Sequence, residues 1–265
     1  MFLPVSVHLE QVQKTAIAAA QEGSRILKSY FGRVHDISVK NHAGLVTEAD
    51  RAAEKGLIAI IQQTYPDHSV LAEESGMQER SSEFKWIIDP LDGTTNYAHQ
   101  IPIFCTSVGV EQNGVIVVAA VSNPVHNILY TAMKGSGAYC NGSRMAVSQT
   151  RKLRDCLVAT GFAYQKGKAL DKAVAIMRPF MELTRGIRRC GSAVWDLCQV
   201  AEGHFDGFWE KNLQPWDVAT GFLLIEEAGG LVTRFDGSPA TVYDQEVVAS
   251  NRRVHPQMIK LIQTS

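Results

Sequence analysis

The chain has 265 residues, with 26 Lys plus Arg against 27 Asp plus Glu and a formal charge of −1. That length accommodates one large domain or two modest ones, and it buries enough surface to fold without disulfides or a structural metal. The balanced charge, with 45% hydrophobic residues, excludes disorder and fibrous repeats and disfavours direct nucleic-acid binding, which calls for a basic excess or stripe.

In chain order, residues 8 to 31 place Val12, Ile17, Ala20, Ile26, Leu27 and Phe31 at helical spacing among polar residues, with Gly32 as a stop. A second helix is expected from Asp50, capped by Thr47 or Asp50, through Leu57, Ile60 and Ile61 to Tyr65-Pro66. Strands are expected over 84–88, 104–110, 115–121 and 128–132, where β-branched and aromatic residues cluster, and Asn113-Gly114 marks a hairpin. A polar stretch over 141–155 suggests a boundary between an N-terminal α+β domain, 1–145, and a C-terminal α/β domain, 146–265. Beyond it, helices near 168–183, 192–202 and 217–228 alternate with strands at 157–160, 205–209, 231–233 and 246–249. That interleaving predicts a layered α/β or α+β architecture.

Cys105, Cys140, Cys156, Cys190 and Cys198 are odd in number and form no C-x-x-C pair, which predicts free thiols and a reducing, cytoplasmic setting. The first eight residues show no signal-peptide pattern, and the longest apolar run, 115–121, is far short of the ~20 residues a bilayer requires, so no membrane partner is expected. The eight histidines show no metal-binding spacing and receive no role. Cys190, Cys198 and Trp195 read as core residues.

The chemistry-bearing stretch runs from Trp86 to Asn96, W-I-I-D-P-L-D-G-T-T-N. An apolar strand delivers Asp89 and Asp92, and Pro90 is expected to end the ladder so that both carboxylates and the Leu91 carbonyl turn into one pocket, an oxygen set suited to Mg²⁺. Gly93-Thr94-Thr95 then offers backbone N–H groups at a helix N-terminus, where a phosphate is favoured. An isolated D-G-T-T reads first as a turn with a helix cap. Two aspartates at the end of a buried strand, however, repel unless cations lie between them. Upstream, Glu73-Glu74 follows the apolar run 70–72, and either one glutamate is a ligand or the pair is a solvated loop. Downstream, Asp217 reads as the N-cap of a helix ending at Gly229-Gly230, able to turn an outer oxygen to a cation while Trp216 walls off solvent.

Together with Leu45-Val46-Thr47-Glu48-Ala49-Asp50 and Gly191-Ser192-Ala193, these segments make nearly the whole chain resemble the inositol monophosphatase family of Mg²⁺-dependent, lithium-sensitive phosphatases, most closely its bacterial extragenic-suppressor type. The resemblance implies a layered αβαβα sandwich of the sugar-phosphatase type, a homodimer, and two or three Mg²⁺ per site. It implies a first metal on Glu73, Asp89 and the Leu91 carbonyl, and a second on Asp89, Asp92 and Asp217. Gly93 and Thr94 would cradle the phosphate, Asp50 and Thr94, with Glu73, would activate the water, and Arg188, Gly191, Ser192, Ala193 and Glu210 would line the alcohol side. At Lys40-Asn-His-Ala-Gly44 the chain lacks the acidic residue that the family often carries before its Val-Thr pair, which bears on the third metal.

In-line attack by a metal-activated water follows from such a site. The D-x-x-D spacing of Asp89 and Asp92 is one residue too long for the D-x-D-x-T motif of aspartyl-phosphate enzymes. The implied substrate is myo-inositol 1-phosphate or a related polyol phosphate, with histidinol phosphate, fructose 1,6-bisphosphate and other sugar or nucleotide phosphates as rivals. A reading of another class is a regulatory protein that keeps the fold and binds the transcription machinery.

Overall fold

The computed structural model describes residues 5–33, 37–40, 44–162 and 167–265, with the main chain alone at 5–7, 37–40, 44–47 and 169. Helix α1, Val5–Tyr30, precedes a small hairpin of β1, Ile37–Lys40, and β2, Gly44–Thr47, and then α2, Glu48–Thr64. Strands β3, Ser69–Ala72, β4, Gly76–Gln78, and β5, Phe84–Asp92, lead to the short α3, Thr94–Ala98. A meander follows: β6, Cys105–Gln112, β7, Val115–Asn123, β8, Ile128–Met133, β9, Gly137–Cys140, and β10, Ser143–Arg144. The C-terminal part comprises β11, Leu157–Thr160, α4, Lys168–Leu183, β12, Gly186–Arg188, α5, Ala193–Ala201, β13, Gly207–Lys211, α6, Pro215–Glu227, β14, Leu231–Thr233, β15, Glu246–Ser250, and α7, His255–Gln263.

These elements stack in five layers. Helices α1 and α2 cover one face of an eight-stranded sheet ordered β10-β9-β8-β7-β6-β5-β3-β4, and α5 and α6 lie between it and a five-stranded sheet ordered β12-β11-β13-β15-β14. Helices α4 and α7 close the far side. The αβαβα sandwich is therefore the fold, and alternation of side chains explains how each strand feeds two cores. On β5, Trp86 and Ile88 join the core beneath α1 and α2, whereas Ile87 joins the central core with Leu197, Phe208 and Leu223. A third core, with Phe180 stacked on Trp209 at 3.9 Å, seats α4 on the five-stranded sheet.

Several expectations are corrected. Pro90 does not end its strand: β5 pairs with β6 through Asp89↔Ser107 and again at Asp92↔Cys105, with the register shift between them. Proline falls in the bulge, where no ladder N–H is required. Helix α2 starts at Glu48 rather than Asp50, and the capping role considered for Thr47 lies outside the described side chains. Asp217 is not an N-cap: α6 begins at Pro215, Gln214 caps it, and Asp217 is the third helical residue of a capping box. Trp195 is half-buried against His126 rather than core. His255 is a buried pin, its ring hydrogen-bonded to Ser250 and Thr233 at 2.8 Å each. Asn41 to Ala43, on which the third-metal question turned, lie outside the described residues.

Candidate active site

The bulge at Pro90 shapes the site. Asp89 is 1% exposed, and its Oδ1 accepts the N–H of Leu91 at 3.0 Å, a local turn that fixes the carboxylate as the strand swings outward. The Leu91 side chain is buried on the opposite side with Leu27, Tyr97 and Phe104. Its carbonyl accepts the Thr94 hydroxyl at 3.1 Å. Asp92 Oδ2 accepts from Ser192 Oγ at 2.5 Å and from the Val194 N–H at 2.7 Å, so this carboxylate meets the first turn of α5 across the sandwich.

The third aspartate comes from α6. Asp217 Oδ2 accepts the Gln214 N–H at 2.7 Å, which holds the carboxylate at the head of the helix and leaves its other oxygen available. Asp89, Asp92 and Asp217 each bring an oxygen within 4.8 Å of the others. Glu73, in the turn between β3 and β4, hydrogen-bonds the Asp89 carboxyl. That turn is itself held from α2, where buried Glu54 accepts the Glu74 N–H at 2.9 Å.

Four carboxyls in so small a volume cannot all ionise alone. Burial, then Glu73, Asp92 and Asp217, push Asp89 well above the ordinary carboxylate range. Burial and Asp92 push Asp217 the same way. Burial lifts Asp92 to about 6 even though Ser192 and Val194 donate to it. An all-oxygen donor set whose charges oppose one another is what hard divalent cations satisfy, so the residues present fit Mg²⁺.

Beside the cluster the chain turns into α3 through Gly93, at φ 93° and ψ 34°. A Cβ there would lie 2.8 Å from the Ile103 carbonyl oxygen, so both conformation and space demand glycine. Asp50 is buried on α2, and its charge helps raise the Tyr97 hydroxyl on α3, behind burial as the main cause.

The residues expected on the alcohol side come from the segment leading into α5 and from the end of β13. Ser192 caps α5, accepting the Trp195 N–H, and Ala193 begins the helix. Glu210 lies at the end of β13 with its carboxylate over Gly161, where a Cβ would come within 2.0 Å of Oε2. Burial, Asp217, Asp196 and Asp92 push Glu210 well up, and Arg189 opposes them. Arg188 is exposed, and its Nη1 turns back to its neighbour's carbonyl, Ile187, at 3.1 Å. The arginine whose charge reaches Glu210 and Asp196 is Arg189.

Sequence reasoning gave no role to Asp196 or Asn96, and it left Arg189, with Arg188, open between a surface charge and a substrate contact. Asp196 is 2% exposed on α5, and burial raises it to about 7. Cys190 presents its thiol and N–H to this carboxyl without closing every bond, since Oδ1 has no donor among the described residues. The one available signal for Asp196 was a lone acid in a mostly apolar helix, Ala193–Ala201.

Comparison with known proteins shows the family and the fold. The family model described as "Inositol monophosphatase family" matches residues 8–265. An inositol-1-monophosphatase of Synechocystis sp. is 41% identical over 252 residues, covering 94% of this chain and 86% of that protein. The Nus factor SuhB of Pseudomonas aeruginosa is 38% identical over 262 residues, covering 96% and 97% respectively. Among solved structures, the extragenic suppressor protein SuhB of Bartonella henselae superimposes with a TM-score of 0.93 at 37% identity over 96% of this chain and 99% of that one. The inositol monophosphatase of Anabaena gives 0.86 at 38% identity, over 97% of each chain. With its five-layer sandwich and its convergent aspartates, the chain belongs to the inositol monophosphatase family of phosphomonoester hydrolases.

Proposed function

We propose that the protein removes phosphate from myo-inositol 1-phosphate or a related polyol phosphate, using Mg²⁺ held by Glu73, Asp89, the Leu91 carbonyl, Asp92 and Asp217. The convergence of Asp89, Asp92 and Asp217 within 4.8 Å beside a glycine-opened helix start carries this reading. Two or three cations bound there would neutralise phosphate charge and lower the pKa of a bound water.

The chain's own groups do the rest. Gly93 and Thr94 point main-chain N–H groups at the phosphate, while Glu73, Asp50 and Thr94 orient the attacking water. Glu210 has no hydrogen-bond or ion-pair partner of its own among the described residues, so its carboxylate is available to accept alcohol hydroxyls. Gly191, Ser192, Ala193 and the rim residue Arg188 complete that side. The exchange is simple: water oxygen bonds phosphorus as the ester P–O bond breaks, and the alcohol leaves with a proton.

The same reading includes lithium sensitivity, a cytoplasmic setting consistent with five free cysteines, and a homodimer. No described helix is long and apolar enough to cross a membrane. Exposed Leu170, Val174 and Met181 form an apolar stripe on α4 that supports a subunit contact.

Phosphate release should be measured from inositol 1-phosphate, histidinol phosphate, fructose 1,6-bisphosphate and a nucleotide phosphate, each with Mg²⁺ and with EDTA. Mg²⁺-dependent release fastest on inositol 1-phosphate is the expected outcome; preference for histidinol phosphate or the bisphosphate would reassign the substrate.

A second reading is favoured by relatives named Nus factor SuhB at 38% and 36% identity: a partner in the transcription machinery. Capture of RNA polymerase or its elongation factors by both wild type and Asp89→Asn would support it. No capture by either would remove it.

A further inference from the structure

The phosphate turn and the alcohol turn belong to opposite halves of the sequence, yet one side chain joins them. Asn96, on α3, is 7% exposed. Its Nδ2 donates to the Ile103 carbonyl at 2.8 Å and to the Cys190 carbonyl at 2.8 Å, 94 residues away. Both amide protons are thereby used. The bond to Cys190 holds the residue immediately before Gly191.

Gly191 shows how closely that turn is gripped. Its φ is +88°, and a Cβ there would come within 3.1 Å of both polar atoms of Asn96 and 2.8 Å of Arg189 Nη1. The Asn96 amide and the Arg189 guanidinium therefore lie over the Gly191 α-carbon. On the far side, the Cys190 N–H and thiol face Asp196.

We propose that Asn96 is a positioning residue that sets the Gly191–Ala193 turn at a fixed offset from the Gly93–Thr94 turn, and so determines how well the site grips the alcohol of a substrate whose phosphate is already held. This rests on the phosphatase reading above. Asn96 touches neither phosphate nor alcohol in this role. Removing its amide frees the Cys190–Gly191 end of the alcohol turn, while the Ser192 hydroxyl and the Val194 N–H still hold the other end to Asp92. Gly191→Ala should disturb the same arrangement from the other side, by driving a methyl into Asn96 and Arg189.

The test compares two esters that differ in the alcohol: inositol 1-phosphate, rich in hydroxyls, and p-nitrophenyl phosphate, which has none. For Asn96→Ala, KM for inositol 1-phosphate should rise about tenfold with kcat within about threefold. KM for the aryl ester, and the inhibition constant of inorganic phosphate, should stay within about twofold. Gly191→Ala should reproduce that selectivity, and the double variant should be little worse than either alone, because residues in contact are not additive. Gly191→Ala carries the test if Asn96→Ala does not fold. Equal losses on both esters, or weaker phosphate inhibition, would overturn the proposal, as would an unchanged KM. Wild type releasing phosphate from neither ester would overturn the phosphatase reading and this inference together, whereas wild-type turnover with an unaffected variant overturns the inference alone.

Discussion

At the scale of single residues, the site works because a few positions have no substitute. Gly93 combines left-handed backbone with a neighbour 2.8 Å from any Cβ. Gly93→Ala should cost about 2 kcal/mol from conformation alone, and more from displacing the Ile103 carbonyl. A lowered unfolding midpoint with weakened phosphate inhibition is the expected result; an unchanged melting curve would contradict it. The aspartates make a second prediction. Asp92 has its folded pKa raised from 3.8 to about 6, so its contribution to stability is full below the ordinary value and is lost as pH rises through about 6. Asp89 and Asp217 shift in the same direction. Cation-free protein should therefore gain more thermal stability from saturating Mg²⁺ at about pH 8 than at about pH 5, since cations bind the ionised cluster. Equal gains at both pH values would mean that these carboxylates are not the ligands. Asp89, Asp92 and Gly93 were legible in the sequence because their chemistry is local: two acids and a glycine at the end of an apolar strand. Asn96 and Asp196 were not, because what they hold is distant in sequence or reaches the site only through a turn.

At the scale of elements, the position of Asp217 depends on how closely α6 packs. A Cβ at Gly221 would come 2.5 Å from Leu197 Cδ1 and 2.6 Å from its Cβ on α5, so these two helices meet through the missing methyl. Gly109 on β6 likewise approaches Ala219 on α6, at 3.1 Å from its projected Cβ. Gly221→Ala should destabilise by about 1–3 kcal/mol through overpacking, and it should weaken Mg²⁺ binding because α5 and α6 carry the groups around Asp92 and Asp217. Denaturant unfolding together with a Mg²⁺ titration checks both. Reduced stability with unchanged Mg²⁺ affinity would show that the helix heads do not follow the crossing. Periodicity found most of the long elements, such as the 168–183 helix, α4, and the 157–160 strand, β11, but not the nine-residue α7. Among the strands it missed β1, β2, β4, β9, β10 and β12, which have two to four residues each, too few to show a clear period of two. The head of α6 was misread because an aspartate before an apolar run resembles an N-cap. Pro215, at the first helical position, was the better signal.

At the scale of the molecule, the chain changes sheets between Arg144 and Leu157, where the division at 145/146 is proposed. The central core nevertheless draws Ile87, Cys105 and Tyr130 from one side of that point and Leu197, Phe208 and Val247 from the other. The two parts should therefore unfold together, in one transition seen alike by far-UV circular dichroism and by tryptophan fluorescence. Two separated transitions would establish the halves as independent units. The site spans the same division, with Asp89 and Asp92 on one side and Asp217 and Glu210 on the other. The most direct measurement of the central claim is therefore turnover of inositol 1-phosphate by Asp89→Asn at saturating Mg²⁺, alongside Mg²⁺ binding by calorimetry. Loss of this buried carboxylate from the proposed cation cluster should lower kcat at least about a hundredfold and weaken Mg²⁺ binding in a folded protein. Near-normal turnover by that variant would contradict the account.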